Sequence, residues 1–453
     1  MIDMFFERFI NFFFFWGVWM LAPLMIDIVT AFIYLFTIMI NRKKVIDVDP
    51  VDNLSFLPIV SLIVPVHNSA DTLRKCLKSI ERQNYPINLM QVICVNNGSN
   101  DKSFQIFSQF QQESPLNVSW SELDRTGKSI ALNAGLYICE GTYIINVDSD
   151  CHLDKDAVQN MVKAFEKEPE MVAATGAIHI DKELGKGYNF IDIVHYCEAI
   201  EYVVAFNIGR QYQTLTNTLF TLSGAFSAFR RDIILNSFLY SETTVSEDTE
   251  LTFHLREKTK ENKGQLGCVS KSIAYVEPIT NISKLYSQRV RWQRGQIEVA
   301  SMYSSSSKNP LQALKAIGGR ILISDHTLAL SRLTWTFLIP ILYFFGYPLN
   351  LVMAAVLGML ICYSMLDLLY LTVAYAGSSI EIRKGLKKIW WVVFFLPFFR
   401  YLTYWFRFAG IILTMTEPGT WRTENPFTQT KKAIKSNIYF IREKLLQKKD
   451  ISR

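Results

Sequence analysis

Residues 9–40 are almost wholly apolar, interrupted by Asn11, Pro23 and Asp27, and the run stops at Asn41-Arg42-Lys43-Lys44. A helix crosses a bilayer with about 20 such residues, so this run predicts a membrane segment at the head of the chain. It forms either one long helix or an in-plane piece before Pro23 and a span after it. It is too long for a signal peptide, and no small-residue cleavage site precedes Arg42. The basic stop predicts that the residues after it lie on the cytoplasmic side. From residue 45 to about 315 the charge density is that of a soluble domain, and then the chain turns apolar again. Residues 333–347 and 351–375 are two candidate spans, separated by Pro348 and Asn350, followed by a basic interfacial stretch at 382–388. A third apolar block, 389–415, carries Pro397, Arg400 and Arg407, and the tail beyond Glu417 is strongly basic. Two spans return the chain to the inside, where residues 383–388 belong. A third full crossing would strand the basic tail outside, so the third block is expected to be re-entrant or interfacial.

The expected division is therefore a membrane segment at 1–44, a cytosolic domain at 45–300 ending in an interfacial helix, a membrane region at 301–416, and a basic cytosolic tail at 417–453. At roughly 150 residues per domain, 453 residues allow two to three domains. Charged residues make up 19% of the chain, below the about 25% of soluble proteins, which agrees with contact with lipid. A net charge of +6 is too small to argue for nucleic acid. Collagenous, low-complexity and disordered classes are excluded. The seven cysteines include no CxxC pair, so neither a zinc site nor a redox motif is signalled, and reduced cytosolic thiols are expected. The Ser304 to Ser307 run reads as a short linker, and there is no internal repeat.

Within the soluble stretch, strand and helix patterns alternate. Residues 60–66 (VSLIVPV) are a continuous β-rich run, as in a strand buried on both faces. A helix is predicted at 70–82, a strand at 92–96, a helix at 127–139, a strand at 143–147, a helix at 154–167 and a strand at 171–180. Such alternation predicts a parallel sheet with helices on both faces and a ligand at the carboxyl ends of its strands. Polar clusters stand at those ends: Pro65-Val66-His67-Asn68, the segment from Asn96 to Asp101, and Asp148-Ser149-Asp150.

Two carboxylates flanking one small residue can bind a hard divalent cation together with a nucleotide. A lone DxD is an ordinary solvated turn, but its place directly after strand 143–147 predicts a metal site at Asp148 and Asp150. Asn96 to Asp101 can surround a nucleotide base, and is equally well suited to a simple Asn-Gly turn. Lys128 opens a helix, where charge and dipole can meet phosphate oxygens; a surface lysine looks the same. Ser246-Glu247-Asp248 reads as a helix start or as the seat of a general base. Gln288-Arg289-Val290-Arg291-Trp292 reads as an interfacial anchor, or as groups that bind a diphosphate and stack a sugar.

In order, VPVHN, VNNGSND, GKSIALNAG, VDSD, AATG, LSGAFSAFRR, SEDTEL and QRVRW resemble the motifs of family 2 glycosyltransferases of the membrane-embedded synthase type, such as hyaluronan, cellulose, chitin and poly-N-acetylglucosamine synthases. The likeness runs from about Val60 to the end of the chain, where PFFRYLTYWFRFAGIILTMTEPGTWRT resembles the last membrane segment of bacterial hyaluronan synthases. The fold it implies is α/β: a GT-A-like, Rossmann-type parallel-sheet domain inserted between transmembrane helices. It further implies a cell-membrane, multi-pass enzyme with a cytosolic catalytic domain, a UDP-sugar donor, a glycan or lipid acceptor, and Mg2+ or Mn2+. Asp148, Lys128 and Asn97, with Pro65 and His67, would bind the donor, and Asp150 the metal. Asp248 would be the base that deprotonates the acceptor, and Gln288, Arg291 and Trp292 would lie under the acceptor and beside the leaving diphosphate. The chain departs from the family in having Asn96-Asn97-Gly98 for Asp-Asp-Gly, and His67-Asn68-Ser69 for Tyr-Asn-Glu.

The resulting expectation is an inverting transferase that extends a β-linked polysaccharide and exports it through its own membrane segments. A membrane partner subunit is a further component such a channel admits. Two alternatives are transfer of a single sugar to a lipid, and an inactive scaffold within a surface-polymer complex.

Overall fold

The computed structural model describes residues 6, 7, 10, 22–41, 57–181, 187–259, 264–304 and 339–416. The first elements in chain order are α1 (Ala22–Ile40), β1 (Val60–Val66), α2 (Leu73–Glu81), β2 (Met90–Asn96), α3 (Ser103–Glu113) and β3 (Asn117–Glu122). Next come α4 (Lys128–Ile138), β4 (Tyr143–Val147), β5 (Cys151–Leu153), α5 (Ala157–Lys167) and β6 (Met171–Ile180). Then follow α6 (Phe190–Tyr202), a π-helical turn (Val203–Gly209), α7 (Arg210–Leu215), β7 (Phe226–Arg230), α8 (Arg231–Leu235), α9 (Glu247–Thr259) and β8 (Gln265–Val276). The last helices are α10 (Ile282–Ser304), α11 (Leu349–Gly377), α12 (Ile380–Lys388) and α13 (Leu396–Thr416).

Every residue of β1 is buried, because the strand lies between two others and beneath helices on both sides. Leu62 and Val64 point to one face and pack with Leu77, Phe107 and Phe165 of α2, α3 and α5. Ile63 points to the other face and packs with Leu132, Ile234 and Leu251 of α4, α8 and α9. A run apolar at both parities therefore satisfies two cores at once.

The eight strands lie in the order β3-β2-β1-β4-β7-β6-β8-β5. The sheet is mixed, which corrects the expectation of a parallel one. β3, β2, β1 and β4 are mutually parallel, but β7 runs antiparallel between β4 and β6, and β5 runs antiparallel to β8. The reason lies in the connection. After β6 the chain enters α6, the π-helical turn and α7 without crossing back to the amino-terminal edge, so β7 re-enters from the carboxyl end and must run the other way. β6 makes room at Gly176, where a Cβ would lie 2.2 Å from the Phe226 ring.

A helical layer adjoins the sheet domain, with Ile38, Cys197, Leu285, Leu371, Val392 and Phe399 in its core. α10 runs along α13 so closely that a Cβ at Gly410 would meet Gln293 Cβ at 2.9 Å. Among the described residues one helix, α11, is long and apolar enough to cross a membrane. Its 29 residues extend about 43 Å at 1.5 Å per residue, and Met353, Leu357 and Ile361 are exposed along it. The third apolar block is not continuous. A 3-10 turn (Trp390–Phe394) precedes α13, and the arginines of α13 find polar partners in neighbouring helices. Arg400 pairs with the fully enclosed Asp367 of α11, and Arg407 Nε donates to Gln293 Oε1 at 2.7 Å. Residues 42–44, most of the serine linker, the start of the first C-terminal candidate span (333–338) and the basic tail lie outside the described residues. The seven cysteines form no disulfide.

Losing one partner of an enclosed ion pair leaves a stranded charge and costs roughly 3–5 kcal/mol, whereas replacing both by apolar groups is close to neutral. Asp367 is the enclosed member and Arg400 is 32% exposed, so thermal unfolding of the detergent-solubilised protein is expected to shift well down for Arg400→Leu and to recover in the Asp367→Leu/Arg400→Leu double variant. Equal losses in both would show that the pair does not join α11 to α13.

Candidate active site

The polar ends of the strands meet around β4. Asp148 follows this strand, and its main-chain N–H donates to the Ala225 carbonyl at 3.0 Å, so the antiparallel entry of β7 is laid against the DxD turn. Lys128, the first residue of α4, reaches both carboxylate oxygens of Asp148, at 2.6 and 2.8 Å, and has Glu247 at 3.8 Å. Burial pushes the carboxyl of Asp148 above its ordinary range, with Lys128 opposing the rise. Burial does the same to Glu247, again opposed by Lys128. Burial by itself lowers the pKa of the Lys128 ammonium, but Asp148 and Glu247 together outweigh it and raise the pKa.

Asp248 sits in the first turn of α9. Its Oδ2 accepts the Gly224 N–H at 2.9 Å and its Oδ1 the Thr249 N–H at 2.7 Å. Lys128 Nζ lies 3.4 Å from the Gly224 carbonyl. One glycine thus separates the DxD-bound lysine from the aspartate of the SED motif. A Cβ there would lie 3.1 Å from Asp248 Oδ2 and 3.4 Å from Lys128 Nζ, so an added side chain would press on Asp248 and displace its carboxylate by a few tenths of an ångström.

Along α10, Gln288 Nε2 faces the Tyr202 hydroxyl at 3.4 Å, while its Oε1 is buried without a hydrogen-bond partner. The Trp292 ring meets Phe206 edge-on at 5.5 Å, and the Arg289 guanidinium lies 4.6 Å from the Trp292 ring. These groups enclose a cavity of about 380 Å³. Lys128, Asp148, Asp150, Asp248, Gln288, Arg291 and Trp292 all line it. Seven of the ten residues singled out in the sequence therefore share one space, drawn from α4, α9, α10 and the turn after β4.

Pro65, His67 and Asn97 do not line that cavity. Pro65 is buried within β1. His67 Nδ1 lies 2.7 Å from the Asn97 carbonyl, and the Asn97 side-chain oxygen accepts the Gly127 N–H next to Lys128. Asn96 is tied to Glu122 at 2.5 Å and to the Ser99 N–H at 3.0 Å. Gly98 takes φ +69°, a left-handed turn that a Cβ would drive to 2.3 Å from Thr126 Cγ2. The Asn-Asn-Gly segment is thus a turn that braces the loop carrying Lys128.

Sequence reasoning did not assign Gly224, Glu247, Tyr202 or Phe206 to the site. Gly224 and Glu247 stand inside quoted motifs, but the first acts only through its missing side chain. Tyr202 and Phe206 carry a faint signal in their four-residue spacing.

Among the described residues no group of three or more His, Cys, Asp or Glu side chains gathers as a metal cage. Asp148 is occupied by Lys128, and Asp150 offers an exposed carboxylate at the cavity. That donor set suits a hard cation taking one protein carboxylate and completing its shell with phosphate and water oxygens.

The mixed α/β sheet is GT-A-like. The structure resembles that of a mannosyltransferase from Pyrobaculum calidifontis in complex with GDP-Man and Mn2+, with a TM-score of 0.54 at 15% identity, over 87% of this chain and 98% of that one. Residues 61–238 match Glycosyl transferase family 2, and the chain carries a domain of that family. Among curated proteins it is 26% identical over 240 residues to the poly-beta-1,6-N-acetyl-D-glucosamine synthase of Staphylococcus epidermidis, covering 53% of this chain and 55% of the relative. It is 24% identical over 260 residues to the synthase of that name from Staphylococcus aureus (strain MSSA476), covering 57% and 58%. The matching region spans a little over half the length of these curated relatives.

Lys128→Met would take from Asp148 and Glu247 the cation that most opposes their neutralisation, leaving Arg291 alone to do so. Both carboxyls already titrate above their ordinary range in the folded protein, and the variant raises them further. The folded state then holds more protons than the unfolded chain from roughly pH 4 upward, so stability falls as pH rises. The expected loss is roughly 3 kcal/mol at pH 8 and much less at pH 5, read as the melting temperature at each pH. A pH-independent loss would mean that the lysine contributes packing alone.

Proposed function

We propose that the chain is an inverting family 2 glycosyltransferase, set in the cell membrane with its catalytic domain cytosolic, that transfers sugar from a UDP-sugar to a growing β-linked polysaccharide. The observation that carries the proposal is the convergence on Gly224 of an ammonium held by the DxD aspartate and the Asp248 carboxylate, inside a cavity walled by Gln288, Arg291 and Trp292. The motif match and the names of the curated relatives support a polysaccharide product.

In this reading the nucleotide and diphosphate lie along Lys128, Asp148 and Arg291. Asn97 acts on the donor through Gly127, with Pro65 and His67 bracing the loop behind it. A divalent cation, Mg2+ or Mn2+, held by Asp150 would supply neutralisation of the diphosphate charge. Trp292 and Gln288 seat the acceptor sugar. Asp248 Oδ2 takes the proton of the attacking hydroxyl as the oxygen closes on the anomeric carbon. Negative charge passes to the departing diphosphate, where Arg291 and Lys128 stabilise it. One direct displacement turns an α-linked donor into a β-linked product, so no second carboxylate nucleophile is needed. The acceptor wall belongs to α10, which packs on the apolar helical layer. That arrangement favours export of the lengthening chain through the membrane segments over release into the cytosol.

The test is incubation of membranes containing the protein with a panel of labelled UDP-sugars and Mn2+ or Mg2+, with the products sized and digested by linkage-specific hydrolases. Long β-linked product is expected. A single-sugar lipid product would replace polymer synthesis by lipid glycosylation, and no turnover of any donor would leave an inactive scaffold.

Asp248→Asn keeps size and loses basicity, so transfer should fall roughly 10²–10⁴-fold while UDP affinity by calorimetry changes little. Near-normal turnover would make Asp248 only a helix start. Asp150→Asn should lower metal-dependent UDP affinity together with rate, and EDTA should abolish transfer by the wild type. Transfer that survives EDTA removes the metal from the mechanism.

A further inference from the structure

The cavity wall formed by α6, the π-helical turn and α7 carries a guanidinium that the transfer chemistry leaves unused. Tyr202, Phe206 and Arg210 follow one another at four-residue intervals, and all three line the cavity. Phe206 stands edge-on to Tyr202 at 4.8 Å and to Trp292 at 5.5 Å between ring centroids. The Arg210 guanidinium carbon lies 4.8 Å from the centre of the same Phe206 ring. The backbone between Tyr202 and Arg210 is π-helical over Val203–Gly209. Such a turn weakens helical hydrogen bonding and recurs where side chains are re-aimed at a site.

Arg210 is only 6% exposed, and its side chain donates one hydrogen bond, from Nη1 to Thr175 Oγ1 at 3.2 Å. No carboxylate among the described residues lies within ion-pair distance of it, whereas Lys128 on the donor side has two. A guanidinium carries five donors in a planar fork and keeps its charge at any physiological pH. Enclosing one against a single hydroxyl is costly, and ligand oxygens relieve that cost. Aromatic rings beside it suit the C–H faces of a sugar.

We infer that Arg210 is a specificity-determining residue of the acceptor site, donating from its fork to oxygen substituents of the acceptor's terminal sugar while Phe206 and Trp292 hold the ring. This rests on the glycosyltransferase reading above and adds to it a residue that no motif contains. The acceptor is favoured over the donor because Arg210 shares its wall with Trp292 and Tyr202, while the cations assigned to the diphosphate are Lys128 and Arg291. Arg210 and Asp248 line the same cavity, so a sugar bound there would present its hydroxyl on the side of the proposed base.

The test uses full-length protein in membranes, the UDP-sugar that the wild type turns over, and as acceptor a short β-linked oligosaccharide released from the wild-type product. Arg210→Gln should raise the acceptor KM by about tenfold to a hundredfold, the span of a lost hydrogen bond to a charged group. Arg210→Lys keeps the charge but loses the fork, and should lie between the variant and the wild type. UDP affinity measured by calorimetry should stay within about twofold in both, which also reports that the domain is folded. If Arg210→Gln does not fold, Arg210→Lys carries the test. An unchanged acceptor KM in a variant that binds UDP normally overturns the inference and leaves the transferase reading standing. So does UDP affinity falling in step with rate, which would move Arg210 to the donor side. Absence of wild-type turnover with every donor overturns the underlying reading instead.

Discussion

The hydrogen bond from the Asp148 main chain to the Ala225 carbonyl ties the DxD turn to the entry of an antiparallel strand. The charged groups of the cavity are placed by that junction. Because β7 enters at the carboxyl end of β4, Gly224 falls between Lys128 and Asp248, and the two reach it from opposite elements. A strand parallel to β4 in this place would begin at the opposite end of the sheet, and the residues before it could not lie against the DxD turn. The junction also holds charge that would otherwise be expensive. Asp148 and Glu247 are both pushed toward neutrality by burial, and the one ammonium between them opposes that shift.

The site has two unlike halves. Its floor is the sheet with α4 and α9, rigid because each face of the sheet has its own apolar core. Its wall is α10 with α6 and the π-helical turn, and this wall is shared: Tyr202, Phe206 and Trp292 pack on the sheet's core, while Cys197, Val203 and Leu285 on the same elements pack into the helical layer. α10 is held there by Arg407 on Gln293 and by the close approach of Gly410 to the same glutamine, which directly follows Trp292 in the chain. Any shift of α13 is therefore passed directly to the residues proposed to seat the acceptor.

The strands that cross both cores were legible because burial on both faces demands an unbroken apolar run: β1, β4 and β6 have the bounds their residues predict. β3 and β7 were not. Asn117–Glu122 is an edge strand with polar residues on its open side, and Phe226–Arg230 mixes Ser and Ala into a five-residue strand. The first does alternate, with Val118 and Trp120 set between polar residues, but over only six residues and with one side open; the second has no such period. The helix starts at residues 73 and 157 fall three residues inside their predicted positions, since both segments open with turns of polar residues that share the helical pattern. In the same way Asn97 and His67 were legible as polar residues at strand ends, but a polar residue there can face a ligand or brace a loop, and its composition is the same in both cases.

By itself the sequence determined which segments are apolar throughout, which alternate between strand and helix, and which residues have the chemistry to hold a diphosphate, a cation or an acceptor's proton. Those properties reside in single side chains and in their spacing along one element. Tertiary structure alone decided that β7 runs antiparallel, that Gly224 lies between Asp248 and Lys128, that the arginines of the third apolar block find Asp367 and Gln293, and that Arg210 joins the cavity. Each of these depends on where a distant element lies, and long-range placement is set by packing of the whole core, which no local spacing records.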